Sequence, residues 1–106
     1  MKLITKEIER RLEKHPLYST GGLGFDSEVI VKFFAPVSAA TWLVTEAQRT
    51  EDGDWLFFGY HCLHLGEWEW GYVTLSDLQS VRLPFGLSVE RDMHISKHAT
   101  VRELAR

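Results

Sequence analysis

The stretch EDGDWLFFGYHCLHLGEWEWGYVTLS, residues 51–76, decides how this chain folds. Its side chains alternate with period two, which is the spacing of a strand and not of a helix. From Asp54 to about His61, Trp55 and Phe57 fall on one face while Leu56, Phe58 and Tyr60 fall on the other. Both faces are apolar, so this strand is expected to be central and covered on both sides. The preceding Glu51-Asp52-Gly53 supplies the positive φ that a tight hairpin demands, and joins it to a strand from Thr41 to about Gln48. A second turn at Leu65-Gly66 leads to a strand from about Trp68 to Thr74. In that segment Glu67 and Glu69 project to one face, and Trp68 and Trp70 to the other.

Outward from these hairpins the pattern stays simple. Val29, Val31, Phe33 and Ala35 alternate with Glu28, Ile30, Lys32 and Phe34, which predicts a strand stopped by Pro36. After the fourth strand, Ser76-Asp77-Leu78-Gln79 has the spacing of a capping box, and predicts a short helix to about Val81 with Ser76 as its cap. The run LSVERDMHI, residues 87–95, alternates again, with Leu87, Val89, Met93 and Ile95 inward. Arg91 falls on the same inward side, so it must be paired or lie at an end. At the start of the chain, Ile4, Ile8 and Leu12 recur every four residues, Thr5 suits an N-cap, and His15-Pro16 ends the helix. The tail, His98 to Arg106, is expected to form a frayed or short helix. The expected fold is α+β: a mainly antiparallel sheet of about five strands, an N-terminal helix on one face, and a short helix before the last strand. No internal repeat or linker interrupts residues 1–106, which read as a single domain.

Composition narrows the function classes. The 106 residues carry 12 Lys or Arg against 15 Asp or Glu, a net charge of −3, with 44% hydrophobic residues and a single cysteine. A chain of this size buries about two-thirds of its unfolded surface and needs no staples. Cys62 alone excludes an internal disulfide and favours a reducing, cytoplasmic compartment. The most apolar stretch, Val29 to Val44, is interrupted by Lys32 and Pro36 and is too short to span a membrane. The start, MKLITKEIERRLEK, reads as a charged helix and not as a signal peptide. The small total charge is a cancellation. Residues 45–77 hold one basic residue, Arg49, against seven acidic ones: Glu46, Glu51, Asp52, Asp54, Glu67, Glu69 and Asp77. Trp55, Trp68 and Trp70 lie in the same third.

Several chemistries are weighed on these residues. His61, Cys62 and His64 are of the types zinc prefers, but on a regular strand His61 and His64 point to opposite faces, so no metal and no cofactor is expected. Cys62 has a histidine nearby but no Gly-rich elbow to supply an oxyanion hole, so it reads as a buried structural thiol and no catalytic residue is assigned. Glu67 and Glu69 beside Trp68 and Trp70 could line a sugar cleft, yet a solvated edge hairpin with its tryptophans toward the core is the simpler expectation. The Gly21-Gly22-Leu23-Gly24 segment lacks the lysine and the following helix of a phosphate cradle. Arg10 and Arg11 make a small basic patch diluted by Glu7, Glu9 and Glu13. The aromatic residues sit among anions, which suits a basic partner protein better than nucleic acid.

The strings LITKEIERRL, PLYST, VKFFAP, TWLVTE, EDGDWLFFGY, WGYVTLSDLQSVR and GLSVERDMHI occur in that order. Together they resemble domain of unknown function 2958, a family of small proteins encoded largely on bacterial conjugative plasmids and integrative elements. The resemblance runs from Leu3 to about Ile95 and brings no catalytic residue. It implies the company of genes for transfer, maintenance, or evasion of host restriction and CRISPR systems. The expectation is therefore a non-enzymatic accessory protein that binds another protein, a host-defence or element-encoded complex, through Glu51, Asp52, Asp54, Glu67, Trp68, Glu69 and Trp70. The alternative is a DNA-processing or conjugation accessory binding single strands through Arg10, Arg11 and the sheet aromatics. The third strand's two apolar faces would be explained equally by a covering helix or by a homodimer.

Overall fold

The computed structural model describes residues 1–105; Arg106, the end of the expected C-terminal helix, lies outside them. Thr5 adopts extended backbone angles and its hydroxyl accepts the Ile8 N–H at 3.2 Å, which starts helix α1, Lys6–Glu13. Glu7 and Glu9 in the first turn, and Arg10 and Arg11 in the last, match the helix dipole. Strands β1 (Val31–Phe34), β2 (Thr41–Arg49), β3 (Trp55–His64) and β4 (Glu67–Thr74) follow, then helix α2 (Leu75–Ser80), strand β5 (Glu90–Arg91) and helix α3 (Val101–Leu104). The strands form one antiparallel sheet in the order β4-β3-β2-β1-β5. The α+β expectation holds in this form.

One face of the sheet carries the main core. Val31, Phe33, Trp42, Val44, Ala47, Trp55 and Phe57 pack there with Leu3, Ile4, Leu12, Leu78 and Val89 from α1, α2 and the flanking segments. Phe33, Phe57 and Leu12 have no exposed surface. Each such side chain stabilises the fold by about 2–3 kcal/mol of transfer free energy. The opposite face has a smaller cluster, Val29, Leu43 and Val101, with Tyr60, Trp68, Ile95 and Leu104 partly buried against it. Beyond that cluster the second face is only partly covered. Strand β3 is therefore interior but covered fully on one side alone: Trp55 and Phe57 are buried, whereas Leu56, Phe58 and Tyr60 are half-buried.

Other local expectations shift for identifiable reasons. Alternation in the first strand begins only at Val31, because the Val29 N–H bonds the Ala99 carbonyl and the Ile30 N–H the Val44 carbonyl. Val29 consequently joins the smaller cluster and Ile30 the main core. The last strand shrinks to Glu90 and Arg91, and Met93 is exposed, since the His94 N–H turns back to the Asp92 carboxylate. Arg91 is paired as its inward position requires, its guanidinium donating to the Lys2 and Leu3 carbonyls. The cap of α2 is Thr74, whose hydroxyl accepts the Asp77 N–H at 3.1 Å. Ser76 lies inside the helix and donates its N–H and hydroxyl to Asp54, at 3.1 and 2.6 Å.

Two β-bulges reset which residues share a face. The register of β2 on β3 shifts between Val44 and Glu46, so Val44 pairs Gly59 while Glu46 pairs Phe58. Thr45 takes up the extra position, and Glu46 is carried to the face opposite α1. A side chain at Gly59 would place its Cβ 1.8 Å from the Leu43 carbonyl oxygen, so the close approach at this bulge requires glycine. The second shift, between Cys62 and His64, makes Leu63 the extra residue and sets His64 opposite Glu67.

Candidate functional site

The seven acidic and tryptophan residues singled out from sequence do not form one surface. The hairpin at Thr50–Asp54 and the one at Leu65–Gly66 lie at opposite ends of β3. Ten residues at about 3.3 Å each separate them by roughly 30 Å. At the first hairpin, Asp52 accepts the Thr50 hydroxyl, which holds its carboxyl below the usual range. Asp54 is lowered chiefly by the Ser76 hydroxyl and also accepts the Trp55 N–H at 2.8 Å. These two carboxylates thus build the turn and clamp α2, with Glu51 and Asp52 exposed at the tip.

At the second hairpin the charges and rings part. Glu69 lies opposite His61 and Glu67 opposite His64, on the α1 face of the sheet, while Trp68 and Trp70 project from the other face. His61 and His64 share a face after all, because the Leu63 bulge reverses the parity on which the opposite expectation rested. With Glu67 and Glu69 they line a recess of about 300 Å³. Cys62 is on the far side, buried, its thiol donating to the His64 carbonyl at 2.9 Å. Among the described residues no group of three or more His, Cys, Asp or Glu side chains is placed to hold a metal ion. The His61 Nε2–H donates to the Gly71 carbonyl at 3.0 Å, and Nδ1 is buried without a partner. Burial pushes the imidazole down to about 4, so it is neutral at pH 7.

Arg10 and Arg11 lie on α1, which packs on β2 from the main-core side. The Arg11 guanidinium donates to the Ile30 and Lys97 carbonyls at 3.3 and 2.8 Å, which ties the helix to the C-terminal segment. Both arginines line a recess of about 340 Å³ with Lys14, Lys97 and His98, which also contains Glu7 and Glu28. The sheet aromatics proposed to act with them are on the other face.

Those aromatics form a continuous row that alternation alone did not reveal. Cross-strand pairing sets Phe58 beside Tyr72, Tyr60 beside Trp70, and Cys62 beside Trp68. Ring centroids step along the two strands from Tyr72 to Phe58 (5.1 Å), Trp70 (5.7 Å), Tyr60 (4.9 Å) and Trp68 (5.3 Å). Phe25 closes over the row, edge-on to Tyr60 at 5.2 Å and 5.8 Å from Trp70. Trp68 is half-buried, while Trp70 and Tyr72 stay 37% and 53% exposed.

Glu46 sits at the base of this row and is only 4% exposed. Its Oε1 accepts the Tyr18 N–H at 2.7 Å; its Oε2 accepts the Thr20 N–H at 2.9 Å and the Thr20 hydroxyl. Tyr18 adopts φ of +73°, an unfavourable conformation for a residue with a side chain, in the turn that aims its N–H at the carboxylate. Charge-assisted bonds of about 1.5–3 kcal/mol offset that cost. The Gly21–Gly24 loop, unsuited to phosphate, instead forms one wall of a recess of about 310 Å³ lined by Tyr18, Glu46, Phe58, Trp70 and Tyr72. In sequence, the available sign was a lone glutamate inside the apolar strand WLVTEA.

No curated protein and no solved structure matches the chain. The sequence profile of the family described as "Protein of unknown function (DUF2958)" matches residues 3–106. That span takes in α1, the whole sheet, Glu46 and the aromatic row, and the chain belongs to the DUF2958 family.

Proposed function

We propose that this chain is a non-enzymatic binding protein that recognises a basic partner protein through the aromatic face of β3 and β4. The observation that carries the reading is the row from Tyr72 to Trp68, left partly open to solvent beside a buried carboxylate. Exposed tryptophan and tyrosine supply anchoring area at low entropic cost, and the acidic residues of the middle third steer a cationic partner toward it. The biological setting proposed is that of a cytoplasmic accessory protein of a mobile genetic element. The partner class is a host-defence complex, with anti-CRISPR or anti-restriction inhibition as the outcome.

Affinity capture from host lysate tests this with three forms of the protein. The pair Trp70→Ala and Tyr72→Ala is expected to lose a partner that the unaltered chain retains. Glu67→Lys with Glu69→Lys is expected to weaken capture in a salt-dependent way. Equal recovery by all three forms overturns the site.

The same aromatic row supports a second reading, stacking of single-stranded nucleic acid. Fluorescence anisotropy with labelled oligonucleotides checks it, since phosphate contacts would weaken steeply as salt rises. Absence of binding at low salt removes this reading.

A further inference from the structure

We propose that the recess between Tyr18, Phe58, Trp70 and Tyr72 takes one cationic side chain of the partner, an arginine or lysine, over the buried carboxylate of Glu46. This rests on the partner reading above and names the group that anchors the partner.

Glu46 is charged, nearly fully buried, and met only by neutral donors: two backbone N–H groups and one hydroxyl. Among the described residues it has no Lys, Arg or His within ion-pair distance. A carboxylate offers about four lone-pair sites, so with three donors in place one acceptor position remains, on Oε1. An unneutralised negative charge in a low-dielectric setting attracts a cation far more strongly than the same charge in water.

The walls add to that preference. Tyr18, Phe58, Trp70 and Tyr72 present aromatic rings, whose π faces attract cations and repel anions. Phe58 and Trp70 stack within 13° of parallel with centroids 5.7 Å apart, so a guanidinium plane laid on the open face of one runs nearly parallel to both. The neighbouring Tyr18 side chain, then burial and the Glu46 carboxylate, raise the Tyr72 phenol above its usual range, which keeps it neutral at the rim. Gly22 and Gly24, with φ of +85° and +53°, present no side chain to narrow the third wall. At about 310 Å³ the space suits one side-chain head group and not a folded ligand. The chemistry disfavours phosphate and carboxylate for the same reason that it favours a cation.

The test titrates the full-length, isotope-labelled chain with N-acetyl-arginine amide, N-acetyl-lysine amide and the neutral isostere N-acetyl-citrulline amide at constant ionic strength. The expected result is a saturable shift of the Trp70 indole N–H and the Gly22 and Gly24 amides with the two cations. Citrulline should bind about tenfold more weakly. Tyr72→Ala, at an exposed position, should weaken arginine binding about tenfold with an unchanged melting temperature. Glu46→Gln keeps only one of the two acceptor oxygens and sets its NH2 against the other donor, so it should lower the melting temperature as well as remove the preference for arginine over citrulline. Equal affinity for citrulline, shifts confined to other surfaces, or preferential filling of the recess by oligothymidylate overturns the proposal. Should a lysate partner still depend on Trp70 and Tyr72 while no cation binds, the partner reading stands and this one falls. Should the cation bind while capture ignores both residues, the reverse holds.

Discussion

The two faces of the sheet are both rich in aromatic residues and use them differently. On the α1 face, Phe33, Trp42, Trp55 and Phe57 are buried beneath α1, α2 and the N-terminal segment. On the other, Phe58, Tyr60, Trp68, Trp70 and Tyr72 contact one another ring to ring, stacked or tilted, and remain partly in water. Adjacent residues on one strand, Phe57 and Phe58, thus belong to different economies: one is held by its surroundings, the other by its neighbours in a row. Area left in water contributes nothing to folding and remains available for a partner.

Substitutions can break this contrast. Phe57→Ala is expected to cost about 4 kcal/mol in chemical denaturation, and Phe58→Ala about half as much, because the latter leaves a partly open site rather than a cavity. Equal losses would mean that the aromatic face is as tightly packed as the core. Gly59→Ala belongs with the larger effects, costing more than about 3 kcal/mol, since no rotamer relieves a Cβ lying 1.8 Å from the Leu43 carbonyl oxygen.

The hairpin end of the α1 face responds to pH. His61 titrates at about 4 when folded and 6.5 as a free side chain, so the unfolded chain binds the extra proton between those values. Stability from this group is complete above about pH 6.5 and falls as the pH drops toward 4, by up to about 3 kcal/mol. Urea midpoints from pH 7 to 4.5 should show the fall in the unaltered chain and a shallower one in His61→Gln. Parallel profiles would place the acid sensitivity elsewhere.

A smaller effect is expected at the clamp between the first hairpin and α2. Asp54→Ala removes the acceptor for the Trp55 and Ser76 N–H groups and the Ser76 hydroxyl, costing about 1–2 kcal/mol in thermal unfolding. Smallest of all for folding, Tyr72→Ala should change stability by less than about 1 kcal/mol while producing the binding loss described above. A large destabilisation by Tyr72→Ala would erase the distinction between the two faces.

Much of the backbone was legible in the residues. Thr5 before a four-residue apolar repeat marks α1, and Gly53, with φ of +84°, forms the turn that its Asp-Gly pair announces. Glu46 was legible as one charge among seven and as a lone glutamate in an apolar strand, and the separation of the two acidic hairpins was not legible in the charge count. Counting charge along the chain ignores that a ten-residue strand carries its two ends far apart.

By itself the sequence determined the periodicity, the turns and therefore an antiparallel sheet with an N-terminal helix. These depend on interactions among residues a few positions apart: caps, tight turns and alternation. Tertiary structure alone decided which way Glu46 and His64 face. Each bulge reverses the alternation after it, and its position depends on the strand alongside: Gly59 permits the first, and the offset of Glu67 against His64 accompanies the second. It also decided how much of the aromatic row stays uncovered. That depends on where Phe25 and the C-terminal segment come to rest, and no local pattern in β3 or β4 encodes it.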